Sequence, residues 1–86
     1  MNAAKVVVYT KKNCPYCEAA KRLLTGKGVD FQEISTDNND KLREEISKKS
    51  GQQTVPQIFV GERLLGGYQD IAALDERGEL DKILGI

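Results

Sequence analysis

The chain has no histidine and only two cysteines among its 86 residues. Histidine is the commonest general base at neutral pH and a frequent zinc ligand, so its absence excludes Cys-His catalysis, Ser-His catalysis and His-ligated zinc within this chain. Two cysteines are also too few for an all-cysteine zinc or iron–sulfur site, which needs four. The two cysteines themselves are therefore the candidates for chemistry.

Long apolar runs and net charge are also lacking. No apolar run is longer than Val-Val-Val-Tyr at 6–9, far short of the roughly 20 residues of a membrane span. Thirteen basic and thirteen acidic side chains cancel, so no net field favours nucleic acid or an anionic membrane. The first residues do not resemble a secretory signal. We expect a soluble, cytoplasmic and monomeric protein, with neither nucleic acid nor membrane as partner.

Chain length and pattern predict one domain spanning residues 1–86. A chain this short has no room for a second hydrophobic core. Internal repeats, low-complexity tracts and linker-like stretches are absent from the sequence. The turn residues are spaced as they are inside one compact unit.

The hydrophobic pattern predicts an α/β fold with four strands and four helices. A valine-rich strand at 5–9 precedes a helix that begins at Pro15 and ends at Gly26 or Gly28. A second strand around 29–34 is predicted to be parallel to the first, because a helix connects them. A capping residue among 37–39 begins a second helix, which ends before Gly51. Strands at 57–60 and 63–65 form a hairpin, and two short helices separated by Gly78 follow.

The two cysteines stand three residues apart, immediately after the first strand. A disulfide across so small a loop contributes little to stability through chain entropy, so redox chemistry is the better explanation. With Pro15 at the first helical position, Cys14 falls at the helix N-cap, where unpaired N–H groups and the helix dipole lower a thiol pKa from about 8.5 to roughly 3.5–7.5. Lys11, three residues before Cys14, is either a further positive charge that favours the thiolate or a solvated lysine near the loop. We predict that Cys14 is the nucleophile and the more buried Cys17 the resolving thiol.

Two other interpretations of the cysteines remain open from the residues alone. The pair could be a static staple or a pair of small buried side chains. It could also be half of a metal site that a second chain completes. Considered alone, Pro56 is a turn residue, and the glycines at 66–67 form either a loop or an anion site near a helix N-terminus.

Three motifs in a fixed order carry a resemblance to a known family. They are Cys-Pro-Tyr-Cys at 14–17 after Tyr-Thr at 9–10, Thr-Val-Pro-Gln-Ile-Phe at 54–59, and Gly-Gly-Tyr-Gln-Asp at 66–70. Together they resemble a glutaredoxin of the small dithiol type found in bacteria and photosynthetic organisms. A thioredoxin would show Trp-Cys-Gly-Pro-Cys in a longer chain, and this sequence has no tryptophan. The resemblance covers essentially the whole chain and implies a thioredoxin-like fold, a four-stranded mixed sheet (βαβ then ββα) flanked by helices.

The resemblance also implies the reaction. It indicates a glutathione-dependent thiol-disulfide oxidoreductase that reduces protein disulfides and glutathione mixed disulfides through Cys14 and Cys17. Glutathione is then the co-substrate, no metal is expected, and NADPH supplies electrons through glutathione reductase.

The resemblance further implies how glutathione binds. Lys11 and Tyr16, helped by Gln53 or Thr54, lie on the side of the glycyl carboxylate. Val55 pairs its backbone with the cysteinyl part, beside a cis Pro56 that faces the cysteines. The segment 66–70 receives the γ-glutamyl end, with Asp70 taking its ammonium group. Gln69 departs from several relatives, which carry an acidic residue there. The implied glutathione-binding residues are Lys11, Tyr16, Thr54, Val55, Pro56, Gly67, Tyr68, Gln69 and Asp70.

Two functions of other classes compete with this one. Some glutaredoxins hold a [2Fe–2S] cluster between two chains, with glutathione thiolates completing the ligands, although Pro15 argues against it because the family's cluster binders more often have Ser or Gly there. A redox-inert interaction domain on the same scaffold is the other alternative, since a fold does not specify a function.

Overall fold

The structure is a computed structural model that describes residues 5–86. No helix within these residues is long and apolar enough to cross a bilayer. The elements, in chain order, are β1 (Val6–Thr10), α1 (Pro15–Gly26), β2 (Gln32–Ser35), α2 (Asp40–Ser50), β3 (Gln57–Val60), β4 (Arg63–Gly66), α3 (Tyr68–Glu76) and α4 (Leu80–Leu84).

The four strands form one mixed sheet in the order β2-β1-β3-β4. β1 is parallel to β2, as the intervening helix predicted, and antiparallel to β3. β3 and β4 form the predicted antiparallel hairpin. The predicted α/β fold with a mixed sheet flanked by helices is therefore confirmed.

The main hydrophobic core lies on one face of the sheet. Val8 and Ile58 are fully buried there with Leu24 of α1 and Ile71 of α3. Side chains alternate along β3, so Phe59 points to the opposite face. On that face the Lys49 ammonium of α2 lies 5.3 Å from the centre of the Phe59 ring. The core cluster is Val6, Val8, Ala20, Leu24, Val29, Ile58, Val60, Ile71, Leu80 and Leu84.

β2 begins later than the sequence predicted. Val29 is buried but lies before the strand, and its N–H donates to the Leu24 carbonyl at 3.1 Å. Gly28, with φ of 73°, supplies the left-handed turn that directs Val29 back under the helix. The apolar character of Val29 thus reflects packing at the C-terminus of α1.

A polar network joins β1, β2 and α1 beside the core. The buried Thr10 hydroxyl donates to Glu33 at 2.9 Å, and Lys21 reaches the same carboxylate oxygen at 3.1 Å. Lys21 also contacts Glu18 at 2.9 Å. The hydrogen bond from Thr10, followed by that from Lys21, lowers the pKa of Glu33 below its ordinary value of 4.5.

Replacing Glu33 with glutamine should lower stability in a pH-dependent way. Because the pKa of Glu33 is lower in the folded state, its contribution is present above pH 4.5 and is lost as the pH falls through the folded value. We expect Glu33→Gln to reduce the free energy of unfolding by about 0.5 to 1 kcal/mol at pH 7, because the ion pair is partly exposed. The difference from wild type should shrink below pH 4.5 in urea titrations. Glu62→Gln, an exposed change in the β3–β4 turn, is the control, and a difference that grows on acidification would contradict this assignment.

Candidate active site

The three motifs meet at one edge of the sheet because of strand register. Tyr9, near the end of β1, pairs with Gln57 at the start of β3. Ile58 in turn pairs with Gly66 at the end of β4. The loops that follow β1, precede β3 and follow β4 are therefore neighbours. Their residues are the ones that carry the three motifs.

Cys14 occupies the N-cap of α1, as the sequence predicted. Its backbone is extended, Pro15 is the first helical residue, and the Cys17 N–H points at its sulfur at 3.2 Å. The Cys14 sulfur also lies 3.9 Å from the Val55 carbonyl oxygen. Cys14 is 8% exposed, so it is sheltered but at the surface of the helix end. Helix N–H groups in this position stabilise a thiolate.

Cys17 lies one turn further into α1 and is fully buried. The two cysteines are joined by a disulfide, with their Cα atoms 5.2 Å apart. The two sulfurs are thus placed where an intramolecular disulfide can form and be reduced. Cys17 is therefore the more buried of the two residues, as the sequence predicted, and the assignment of Cys14 as the attacking thiol and Cys17 as the resolving thiol stays a prediction.

A groove of about 410 Å³, which we call the tyrosine groove, is lined by Tyr16 and Tyr68 and adjoins Cys14 through Val55, whose carbonyl oxygen lies 3.9 Å from the Cys14 sulfur. The two rings have their centres 6.2 Å apart, and Tyr16 is 55% exposed. The volume is within the range of pockets that hold small ligands. Eight of the nine predicted glutathione-binding residues line it, all except Lys11. Its lining residues are Tyr16, Gln52, Thr54, Val55, Pro56, Gly67, Tyr68, Gln69 and Asp70.

One wall of the tyrosine groove is formed by the segment 52–56, which we call the Val55 wall. This segment ends in the cis peptide Val55–Pro56. The buried Gln57 supports this segment, since its amide donates to the carbonyls of Gln52 at 3.1 Å and Thr54 at 2.9 Å. Within residues 5–86 the backbone groups of Val55 form no backbone hydrogen bond. They remain available to an extended ligand that pairs with them as an additional strand does.

Gly67 and Asp70 line one end of the tyrosine groove, next to the buried Gly66. The Asp70 carboxylate accepts a hydrogen bond from the Gly67 N–H at 2.9 Å and so caps α3. Gly66 has φ of 115°, and a Cβ there would lie 2.8 Å from the Asp70 Cβ. Only glycine fits this position. An anion site at these glycines was one of the two sequence-based interpretations, but the Gly67 N–H already donates a hydrogen bond to Asp70. The exposed Asp70 carboxylate gives this end of the groove a negative charge.

Lys11 lies on the other side of the Val55 wall, in a second cavity of about 200 Å³ that we call the basic cavity. Arg43 of α2 joins it there, and Thr54 and Val55 line both cavities. Sequence reasoning missed Arg43 and Gln52. Helical spacing from the apolar Ile46 was the available signal for Arg43, because residues three apart lie on neighbouring parts of a helix surface. The lining residues are Lys11, Thr36, Arg43, Ile46, Ser47, Gln53, Thr54, Val55 and Gln57.

Comparison with known proteins agrees with this geometry. Residues 6–65 match the sequence model of the glutaredoxin family. Glutaredoxin 3 of Escherichia coli is 54% identical over 81 residues, which cover 94% of this chain and 98% of that protein. The solution structure of a Brucella melitensis glutaredoxin is 43% identical, with a TM-score of 0.87 and coverage of 98% of this chain and 91% of the other.

A crystal structure of a buckwheat glutaredoxin–glutathione complex is 29% identical, with a TM-score of 0.89 and coverage of 95% of this chain and 77% of that one. These similarities extend over nearly the whole chain, and the redox pair lies where the sequence placed it. The chain therefore belongs to the glutaredoxin family, and it is a thiol-disulfide oxidoreductase with Cys14 and Cys17 as its redox pair.

Proposed function

We propose that this chain reduces glutathione mixed disulfides and protein disulfides, with glutathione as co-substrate and Cys14 as the nucleophile. The observation that carries the proposal is the position of the Cys14 sulfur at the N-terminus of α1, beside the Val55 backbone that borders both cavities. The similar buckwheat glutaredoxin binds glutathione, since its crystal structure is that of a complex with glutathione. The tyrosine groove has the volume and the polar groups for such a tripeptide.

The reaction begins when the Cys14 thiolate attacks the glutathione sulfur of a mixed disulfide. The substrate's S–S bond breaks, the substrate thiolate leaves and takes a proton from water, and a Cys14–glutathione disulfide forms. A second glutathione thiolate then attacks the bound glutathione sulfur, which releases glutathione disulfide and restores the Cys14 thiolate. Alternatively Cys17 attacks the Cys14 sulfur, releases glutathione and leaves the intramolecular disulfide, which two further glutathiones reduce.

Glutathione carries an ammonium and a carboxylate at its γ-glutamyl end and a second carboxylate at its glycyl end, and the site offers an acidic group at one end and basic groups at the other. Asp70 lies at one end of the tyrosine groove and suits the γ-glutamyl ammonium group. Lys11 and Arg43 in the basic cavity suit the glycyl carboxylate. The Val55 backbone lies between these ends and suits the cysteinyl peptide unit, 3.9 Å from the reacting sulfur. Tyr16, Tyr68 and Gln69 complete the walls around the ligand.

We also propose that the chain, residues 1–86, is a single domain, which is supported by one core cluster that contains residues from β1 through α4 within the described residues 5–86. Glutathionylated and disulfide-containing proteins are the partners, and NADPH supplies electrons through glutathione reductase. We place the protein in the cytoplasm and expect a monomer, since the charges of the chain balance.

Separate replacement of the two cysteines tests their roles. We expect Cys14→Ser to abolish glutathione-dependent reduction of a glutathionylated peptide, because the attacking thiolate is lost. Cys17→Ser should keep much of that activity, since a second glutathione can complete the cycle without it. The assay couples glutathione disulfide to NADPH oxidation through glutathione reductase, and thermal unfolding confirms that both variants fold. Activity that survives in Cys14→Ser but not in Cys17→Ser would reverse the assignment.

Removal of the Arg43 charge tests the orientation of glutathione. We expect Arg43→Gln to raise the KM for a glutathionylated peptide roughly 2- to 5-fold, as befits a partly solvated ion pair, with little change in kcat. The effect should weaken as ionic strength rises. Lys41→Gln is the matched control, because Lys41 is exposed on the same helix and is absent from the lining of the basic cavity. Equal KM values for Arg43→Gln, Lys41→Gln and wild type would place the glycyl end outside the basic cavity.

A further inference from the structure

Asp37 lies outside both cavities, yet its carboxylate contacts the loop that carries Cys14. Both of its oxygens accept from the Lys12 backbone N–H, at 3.0 and 3.2 Å. The two residues are 25 positions apart in the chain, so the contact joins the segment after β2 to the segment after β1. We propose that Asp37 is a positioning residue for Cys14, acting through the Lys12 N–H to hold residues 11–14, which we call the catalytic loop. The proposal rests on the role of Cys14 as nucleophile proposed above.

The Asp37 side chain is itself held in place. Its carboxylate accepts from the Ser35 hydroxyl at 2.9 Å, and its own N–H donates to that hydroxyl oxygen at 3.1 Å. These two bonds form a local turn in which a short polar side chain orients the next residues. The Asp37 carboxylate, which accepts the hydrogen bond from the Lys12 N–H, therefore has a defined position just after β2.

A second contact beside the first makes the junction between the two segments rigid. The buried Thr36 donates its N–H to the Thr10 carbonyl at 2.8 Å and its hydroxyl to the same oxygen at 2.9 Å. Thr36 and Asp37 thus hydrogen-bond to Thr10, the last residue of β1, and to Lys12 in the loop that follows it. Hydrogen bonds therefore hold the chain at Thr10 and at Lys12, both of which come before Cys14.

The geometry of the short stretch from Lys12 to Cys14 explains why this anchor matters. Asn13, between them, has φ of 54°, a left-handed conformation that asparagine tolerates better than most residues. This turn directs Cys14 into the N-cap, where its sulfur meets the Cys17 N–H at 3.2 Å. Without Asp37, the Lys12 N–H loses the carboxylate that joins this turn to the segment after β2, and the alignment of Cys14 with the helix end becomes less fixed.

The charges around Asp37 keep it an acceptor at neutral pH. Hydrogen bonds from the Lys12 backbone and the Ser35 hydroxyl lower the pKa of Asp37 below its usual range, and the positive charges of Lys12 and Arg43 act in the same direction. Its negative charge alone would disfavour a nearby Cys14 thiolate. Any gain in Cys14 reactivity from Asp37 must therefore come from position and not from charge, which makes the two effects separable.

The experiment compares Asp37→Ala and Asp37→Asn with wild type in the reduced full-length protein. The readout is the pH midpoint of Cys14 alkylation by iodoacetamide, followed by peptide mass spectrometry, which needs no glutathione. Asparagine keeps an oxygen that can accept from Lys12 but removes the charge, whereas alanine removes both. We expect Asp37→Ala to move the midpoint to higher pH and to lower kcat/KM for a glutathionylated peptide roughly 2- to 5-fold, the range of a lost helix-terminus interaction. Asp37→Asn should stay close to wild type or shift slightly to lower pH.

Asp30→Ala serves as the control, because it removes one exposed acidic charge that makes no ion pair within residues 5–86. An unchanged alkylation midpoint in Asp37→Ala would overturn the proposal, and reduced thermal stability in the same variant would show that the role of Asp37 is purely structural. An Asp37→Asn variant as impaired as Asp37→Ala would overturn it as well. If the midpoint shifts as expected but wild type shows no activity with glutathione, the positioning role stands and the proposed function fails.

Discussion

The pairing of β3 with both of its neighbours is the constraint on which the active site depends. Tyr9 opposite Gln57 and Ile58 opposite Gly66 bring three chain segments to the same edge of the sheet. These segments are far apart in sequence, and none of them forms a pocket alone. Because side chains alternate along a strand, a slip of one residue in β3 would turn its core-facing side chains outward and displace the Val55 wall from the cysteines. The buried Ile58 and Val60 oppose such a slip.

Two kinds of interaction then serve the redox pair. The first is local: Pro15 begins the helix, and the Cys17 N–H of its first turn points at the Cys14 sulfur. The second is tertiary. Thr36 and Asp37, after β2, hydrogen-bond to Thr10 and Lys12, and the Val55 carbonyl, before β3, lies beside the Cys14 sulfur. The charges are divided as well, with Asp70 at one end of the site and the Lys11–Arg43 pair at the other. The arrangement suits a ligand that carries a positive group at one end and a negative group at the other.

Most of the elements could be predicted because each has a strong local signal. The valine run of β1, Pro15 at the start of α1 and Gly78 between the last two helices are read from neighbouring residues alone. The sequence predicts too early a start for β2, because Val29 is apolar for a tertiary reason, its packing under α1.

The sequence narrows the capping residue of α2 only to 37–39, since the Asp and Asn residues at these positions all cap helices. The structure selects Asn39, which accepts from the Leu42 N–H at 3.1 Å and leaves Asp37 to bind the Lys12 backbone.

The amino-acid sequence by itself determined the redox pair, its place at a helix N-cap and the family, because spacing, capping and motif order are properties of neighbouring residues. It also indicated eight of the residues that line the tyrosine groove, through the resemblance of their motifs. Only the tertiary structure decided that Lys11 and Arg43 line a separate cavity on the other side of the Val55 wall. It also decided that Asp70 accepts the hydrogen bond from the Gly67 N–H, and that Asp37 accepts the one from the Lys12 N–H. These contacts depend on strand register and on how α2 lies beside the sheet. Such distances between remote residues are set by packing of the whole chain, which no local pattern encodes.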